Sequence, residues 1–229
     1  MSREIPINHV QEKVHRIIDS CYPPIHLFDD VADAEQFDAL CALEGLTSER
    51  LRNELGQVSL VAKEDRLYGS GAGFIMAAFT YINAEGSRFS DGSYGVYYAG
   101  FDTETAIRET VYHKQKFLSY TDQPAQEIDM REYIATVDAQ VNDIRGMMRT
   151  MADLYDPDTY VASIAFAAPL RYAGAWGISY DSVRNPAGQC IAIFRPPALS
   201  NCMQTKHFAY VWNGKEITHT YEKTSLRSL

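Results

Sequence analysis

The chain has 229 residues, a formal net charge of −9 and a sequence pI near 5.1. Apolar residues make up 46% of it, which indicates a folded globular protein with a sizeable core. The acidic balance excludes a broad nucleic-acid-binding surface, because phosphate binding needs clustered Lys and Arg.

The composition also bears on the cell compartment and on metals. Residues 1–11 mix charged and polar side chains, unlike a signal peptide, and the apolar stretch 74–82 is far too short for a membrane helix. We therefore expect a cytoplasmic protein without a membrane partner. No C-x-x-C or H-x-x-x-H spacing occurs, so we expect no metal site and four reduced, buried cysteines. These cysteines are Cys21, Cys41, Cys190 and Cys202.

The first element predicted in chain order is a helix over residues 9–20, because Val10, Val14 and Ile17 recur at helical spacing. Asp33 followed by Gln36 is typical of a helix N-cap with its capping partner.

A short helix is predicted to begin at Thr47 or Ser48 and to end at Gly56, with a strand over residues 57–62. We interpret residues 1–65 as a helical extension packed on the core, and residues 66–229 as the main domain.

A glycine-rich turn precedes the next predicted element. Gly69, Gly71 and Gly73 lead into residues 74–79, which read as a buried helix. Such a turn can bind phosphate at the helix N-terminus, but the spacing is not that of a dinucleotide-binding turn. We favour a tight structural turn.

The middle of the chain predicts a strand over residues 94–99, with Tyr97 and Tyr98 on opposite faces. Asp102 can cap a helix that begins near Thr103 and carries Glu109. Residues 129–151 are ambiguous: residues 131–141 fit a strand and residues 144–154 fit a helix.

The C-terminal part predicts a helix from Asp156-Pro157 to Tyr172, kinked or shortened by Pro169. Strands follow over residues 177–183 and 189–194, joined by a turn at 185–188. Asn213-Gly214 joins a last hairpin, over residues 208–212 and 215–221. Helices and strands do not alternate regularly, so we predict an α+β fold.

Three segments carry residue types suited to chemistry: residues 86–90, residues 94–109 and residues 177–190. Arg88 precedes a Gly-x-Tyr-Tyr-Ala strand that ends near Tyr98, and Glu109 lies in the following helix. Ser182 lies in a Tyr-x-Ser-Val-Arg segment. Tyr98 stands ten residues after Arg88, and Glu109 stands eleven residues after Tyr98.

This pattern resembles the RES domain, a family named for its Arg, Glu and Ser, over residues 66–222. The resemblance implies an ADP-ribosyltransferase-like fold with a mixed or antiparallel sheet and flanking helices. It also implies a toxin that cleaves the nicotinamide–ribose bond of NAD, by hydrolysis or with phosphate as co-substrate. The partner would be an Xre-type helix-turn-helix antitoxin.

Chemistry assigns a role to each matched residue. Cleavage builds positive charge on the ribose, which the Glu109 carboxylate can stabilise. Arg88 can bind phosphate oxygens, and Tyr98 can stack on the cationic nicotinamide. Ser182 can hold a ribose or phosphate oxygen, and Arg184 is a second candidate anion contact. We therefore expect Arg88, Tyr98, Ser182 and Arg184 to bind NAD.

Each of these residues also has an ordinary structural interpretation, as a surface charge, a core ring or a turn residue. Their joint spacing favours the functional one. His113, one turn after Glu109, is better explained by packing, and Cys190 by burial. Three alternatives stay open: ADP-ribosylation of a protein, a non-catalytic interaction module and, for assembly, a homodimer.

Overall fold

The computed structural model describes residues 5–22, 28–37, 39 and 57–224. Within them, seven strands and three longer helices form an α+β fold, which confirms the predicted class. The elements are β1 (Ile7–Asp19), α1 (Ala72–Thr80), β2 (Tyr97–Gly100), α2 (Thr103–Leu118), β3 (Gln126–Asp143), α3 (Val161–Tyr172), β4 (Gly177–Asp181), β5 (Gln189–Ile193), β6 (Leu199–Trp212) and β7 (Ile217–Glu222). Short 3-10 turns cover Val58–Leu60, Lys63–Asp65, Ala152–Tyr155 and Pro196–Ala198.

The seven strands form one mixed sheet in the order β1-β2-β5-β4-β3-β6-β7. β3 and β4 are parallel, and the other pairs are antiparallel. β1 pairs with β3 as well as with β2, so β1, β2, β5, β4 and β3 form a closed circuit of strand pairings. The β6–β7 hairpin extends the sheet from β3.

The helix predicted for residues 9–20 is wrong, because this segment is strand β1, paired with β3 along its whole length. Val10 and Val14 lie on the face that joins the core beside α1, whereas Ile17 lies on the opposite face, in the cluster with α2. Because both faces of β1 are partly buried, its apolar residues recur at intervals that resemble those of an amphipathic helix. Residues 7–19 therefore belong to the sheet and not to a helical extension.

Each helix covers a different part of the sheet. α1 packs in the largest apolar cluster with β1, β3 and β6, and α2 lies over β1, β3 and β6 in another. α3 packs with β4, β5 and the turn around Phe89 in a third cluster. The candidate site lies at the boundary between the part of the sheet that α2 covers and the part that α3 covers.

The turn before α1 is structural, as predicted. Gly71 has φ +80°, and a Cβ there would lie 2.3 Å from the Cys202 carbonyl oxygen. The Asp29 carboxylate accepts a hydrogen bond from the Gly73 amide at 2.9 Å. A protein carboxylate therefore occupies the helix start that a phosphate would need.

Two helix predictions also differ from the structure. Residues 144–154 form turns, because Gly146 has φ +74° and the Ile144 amide bonds to Ser179 of β4. α3 begins at Val161 and not at Asp156, since the Asp156 carboxylate caps an isolated turn at residues 158 and 159. Pro169 lies inside α3 without ending it.

The strand predicted for residues 57–62 is wrong as well: local hydrogen bonds make it a 3-10 turn. The Asp33–Gln36 cap is confirmed, with the Gln36 amide 2.9 Å from Asp33 Oδ1. The helix predicted to begin at Thr47 or Ser48 lies outside the described residues.

Other predictions hold. Asp102 caps α2, and both predicted hairpins form. Cys190 and Cys202 are buried as expected, but Cys21 is exposed and Cys41 lies outside the described residues. In the part of the chain that is described, no helix combines the length and apolar character needed to cross a bilayer.

A buried carboxylate fixes the start of α2 on the sheet. Glu132, 1% exposed, accepts hydrogen bonds from His15 Nδ1 at 2.9 Å, Thr103 Oγ1 at 2.8 Å and Thr205 Oγ1 at 2.7 Å. Burial alone would raise the pKa of Glu132, but these hydrogen bonds outweigh it and lower the pKa to about 2.

We predict that Glu132→Gln lowers the free energy of unfolding at neutral pH by on the order of 3 kcal/mol. The pKa of Glu132 in the folded protein lies below its ordinary value. The ionised carboxylate therefore stabilises the folded state fully above about pH 5, and this stabilisation is lost as the pH falls toward 2. Urea unfolding over that pH range measures the difference.

The matched control is Asp138→Asn. Asp138 also pairs with a histidine of β1, His9, across the same two strands, but its side chain is 55% exposed. Solvent screens such a pair, so the effect should be small. Equal pH dependence of the two variants would contradict the prediction.

Candidate active site

Arg88 is presented by a tight turn before β2. Ser87 and Ser90 close this turn through a backbone bridge, and the fully buried Phe89 anchors it. The Arg88 guanidinium donates from Nη1 to the carbonyls of Leu154 at 2.9 Å and Asp156 at 3.2 Å. It also lies over the Tyr160 ring, 4.7 Å from the centroid. Arg88 is therefore buried and held in one orientation.

Tyr98 on β2 fixes the same turn. Its hydroxyl lies 2.8 Å from Ser87 Oγ and accepts a hydrogen bond from the Phe89 amide at 2.9 Å. Burial raises the pKa of Tyr98, with these two hydrogen bonds opposing the shift, so the phenol is neutral. The ring is half-buried, on the face of β2 predicted from the sequence.

The Glu109 carboxylate on α2 is contacted by one donor from β5 and by another from the loop after β4. Ser182 Oγ donates to Glu109 Oε1 at 2.6 Å, and Cys190 Sγ lies 3.9 Å from the same oxygen. Burial, with the charge of Glu109, raises the pKa of Cys190, so its thiol is a donor. Among the described residues, Oε2 receives no hydrogen bond and is free for a ligand.

The loop that carries Ser182 is clamped to α2. Asn185 Nδ2 donates to Thr105 Oγ1 at 2.9 Å, and Thr105 Oγ1 donates to Asp102 Oδ2 at 2.7 Å. A Cβ at Gly188 would lie 2.2 Å from Thr105 Oγ1, so the loop approaches the helix closely only because this residue is glycine. Loop and helix are thus locked together.

Arg184 extends the site along α2. Its guanidinium stacks 3.3 Å above the Tyr112 ring, and it donates to the Pro157 carbonyl. A wide groove of about 540 Å³ begins beside Arg184 and Tyr112 and runs between α2 and β7. Space for an extended ligand therefore adjoins the cationic group.

His113 lies on α2 one turn after Glu109, and its ring contacts the Tyr112 ring edge-on. The protein groups that surround His113 lower its pKa, although part of the side chain is exposed to solvent. The Glu109 carboxylate opposes this shift of the pKa, and the charges of Arg184 and Arg88 add to it. The same charges of Glu109 and Arg88 act on the buried Tyr180. Arg88, Glu109 and Arg184 therefore lie near enough to His113 for their charges to act on it.

The structure thus brings together all five residues that the sequence singled out: Arg88, Tyr98, Glu109, Ser182 and Arg184. It adds three contacts that the sequence analysis missed, from Tyr160, Tyr112 and Cys190. The sequence predicted that Tyr160 lies inside a helix, and it explained Cys190 as a buried residue without a role in the site. No sequence signal marks the aromatic rings that support the two arginines.

Comparison with known proteins identifies the family of this chain. The chain matches the RES domain over residues 64–213, a stretch that includes Arg88, Tyr98, Glu109 and Ser182. The chain therefore belongs to the RES domain family.

Two further similarities were found. The chain is 31% identical over 212 residues to a Sinorhizobium fredii (strain NBRC 101917 / NGR234) protein, the uncharacterized protein y4oC, covering 93% of this chain and 88% of that protein. The crystal structure of the M. tuberculosis MbcT–MbcA toxin–antitoxin complex is similar with a TM-score of 0.42 and 9% identity, over 87% of this chain and 86% of that chain. A likeness this distant adds no weight to a functional argument.

We predict that Ser182→Ala destabilises the fold by about 1–3 kcal/mol. The buried Ser182 hydroxyl accepts hydrogen bonds from the amides of Arg184 at 3.1 Å and Asn185 at 2.9 Å, and alanine leaves both amides unpaired. Urea unfolding measures the loss. Ser93→Ala is the control, since Ser93 lies in an exposed turn; an equal loss there would contradict the prediction.

Proposed function

We propose that this protein cleaves the nicotinamide–ribose bond of NAD. The observation that carries the proposal is the Glu109 carboxylate, which Ser182 fixes through Oε1 while Oε2 receives no hydrogen bond among the described residues. Family membership and the matched spacing of the RES residues support it.

Glu109 would stabilise the reacting sugar. Loss of nicotinamide leaves an oxocarbenium-like ribose, whose positive charge a carboxylate attracts. A carboxylate held by a short hydrogen bond needs little rearrangement when that charge develops. Oε2 is the oxygen available to the ribose, either directly or through a ribose hydroxyl.

Arg88 would bind a phosphate group. Two backbone carbonyls occupy Nη1, and the Tyr160 ring supports one face of the guanidinium. Among the described residues, the other guanidinium nitrogens donate to no protein acceptor, so they are available to an anion. The planar fork of arginine suits two phosphate oxygens at once.

Tyr98 and Arg184 would complete the NAD contacts. The Tyr98 hydroxyl is committed to Ser87 and Phe89, so its ring is the part it can offer, consistent with stacking on cationic nicotinamide. Arg184, supported by the Tyr112 ring, is a second phosphate donor at the mouth of the groove.

Ser182 would act through Glu109 and not on the substrate. A hydroxyl donates one hydrogen bond and accepts two, and all three are used, by Glu109 and by the amides of Arg184 and Asn185. We therefore propose Ser182 as a positioning residue. This replaces the substrate-binding role expected from the sequence alone.

In the cell, the protein would be a cytoplasmic toxin held in check by an Xre-type antitoxin, as the RES resemblance implies. Water or phosphate would be the acceptor of the ADP-ribosyl group. Transfer to a protein side chain is the competing outcome, and it needs the same bound NAD with a different acceptor.

We predict that Glu109→Gln lowers kcat/KM for NAD by at least about 100-fold, because a neutral amide cannot stabilise the developing charge. Glutamine keeps an oxygen that accepts from Ser182, so folding should be retained. Nicotinamide release from NAD, measured with and without phosphate, gives the rate and identifies the acceptor.

Glu12→Gln is the control for the exchange, because Glu12 is an exposed residue of β1 that does not line the groove. Its activity should equal that of the unchanged protein. No NAD loss from the unchanged protein under either condition would contradict the proposal. Label from NAD on a protein target would instead support ADP-ribosyl transfer.

We predict that Arg88→Lys raises KM for NAD about 10- to 100-fold, the equivalent of one charge-assisted hydrogen bond. Lysine keeps the charge but loses the planar fork and its stacking on Tyr160. Arg149→Lys, at an exposed residue in the turns after β3 that does not line the groove, is the control for the Arg-to-Lys exchange. An unchanged KM in Arg88→Lys would remove Arg88 from the phosphate contact.

A further inference from the structure

A cavity of about 120 Å³ lies between the C-terminal end of α3, the turns at residues 58–65 and the loop before β2. It shares no lining residue with the groove between α2 and β7. Most of its lining residues are apolar, among them Phe79 and Phe194, and two are charged, Asp65 and Arg171. The cavity is therefore separate from the groove and combines apolar walls with ionised groups.

The Arg171 guanidinium is uncommitted at this cavity. It lies 5.3 Å from the centroid of the Tyr94 ring, and its Nε is buried and donates to no acceptor among the described residues. Each of the other described arginines that lie over an aromatic ring also donates to a carboxylate or a backbone carbonyl. A buried donor without an acceptor costs free energy, so Arg171 suits a ligand that supplies one.

The carboxylate that lines the cavity does not compete for this role, because it is already paired. Both oxygens of Asp65 accept hydrogen bonds from Arg195, at 2.8 Å from Nε and 2.7 Å from Nη2. The two arginines and one carboxylate leave one positive charge in excess at the cavity. In a chain with a net charge of −9, this local excess favours an anionic ligand.

The size and lining of the cavity select a small organic acid. A cavity of roughly 150 Å³ accommodates benzene, so one of about 120 Å³ accommodates about six non-hydrogen atoms. A guanidinium binds a carboxylate through two parallel hydrogen bonds. The apolar walls suit a short hydrocarbon chain, whereas they would leave oxygens of a phosphate ion without donors. Butyrate, with a carboxylate and three further carbons, meets these conditions.

Tyr94 connects the cavity with the turn that presents Arg88. Its ring lines the cavity beside Arg171, and its hydroxyl donates to the Phe89 carbonyl at 2.5 Å. Its backbone carbonyl accepts a hydrogen bond from Ser90 Oγ at 2.7 Å. A ligand that packs against the Tyr94 ring would restrict the ring and so stabilise the hydrogen bonds that hold the turn.

We infer that this cavity is a second ligand site, which binds a small monocarboxylate at Arg171 and thereby stabilises the turn that carries Arg88. The inference does not depend on the proposed reaction, because both binding and the stability of the turn are measured without NAD.

Saturation-transfer NMR of the full chain with butyrate tests binding. The unchanged protein should bind butyrate with a Kd of roughly 1 mM. Arg171→Gln should weaken binding at least about 10-fold, because a hydrogen bond to a charged group is lost. Ala62→Phe, at an exposed lining residue, should weaken binding by filling the cavity while Arg171 is retained. Thermal unfolding checks that both variants remain folded.

Two other ligands and a control variant test the chemistry of the site. Neutral butyramide and inorganic phosphate should each bind at least about 10-fold more weakly than butyrate. Arg149→Gln, at an exposed arginine that does not line the cavity, should bind butyrate normally. Butyrate binding that survives Arg171→Gln would place the anion elsewhere and overturn the inference. An absence of butyrate binding, or tighter binding of phosphate, would overturn it as well.

Amide hydrogen exchange tests the connection to the turn. Saturating butyrate should slow exchange of the Ser87 and Phe89 amides, whose hydrogen bonds hold the turn. Tyr94→Phe keeps the ring in the cavity but loses the hydroxyl contact, so butyrate should still bind this variant without slowing exchange. Unchanged exchange in the unchanged protein saturated with butyrate would contradict the inferred stabilisation of the turn.

Discussion

The hydrogen bond from Ser182 to Glu109 joins two parts of the fold that are 73 residues apart in the sequence. This hydrogen bond can form because Asn185 holds the loop after β4 against α2. The loop can approach the helix this closely since Gly188 has no side chain. Helix, loop and strand β5 therefore keep one relative position. The orientation of the carboxylate follows from that position, and with it the chemistry proposed for the site.

Sequence patterns predicted those elements of the C-terminal two thirds of the fold whose signals are local, although not residues 144–160. Asp102 caps a helix and Asn213-Gly214 turns a hairpin wherever they stand. β1 was mistaken for a helix since its burial depends on partners more than 100 residues away. Val10 and Val14 point to one covered face and Ile17 to the other, a pattern that periodicity cannot distinguish from an amphipathic helix.

The candidate site was predictable to the extent that it lies in family motifs. Arg88, Tyr98, Glu109 and Ser182 stand at matching spacings, and the fold brings them together. Their supports were not predictable: Arg88 is held by backbone carbonyls and by the ring of Tyr160, from a segment expected to be helical. Nor could the sequence indicate that the Ser182 hydroxyl is already saturated by protein groups.

The closed circuit of strands has a consequence for how the protein is made. β1 is translated first, but β3 begins 107 residues after β1 ends, an interval of roughly 5 to 20 s at ordinary rates of elongation. Until then β1 lacks a partner along most of its length, because β2 pairs with it only at His15, and Ser182 emerges later still. An enzyme that consumes a metabolite of its own cell, as proposed, would therefore stay inactive on the ribosome until most of its chain had been synthesised.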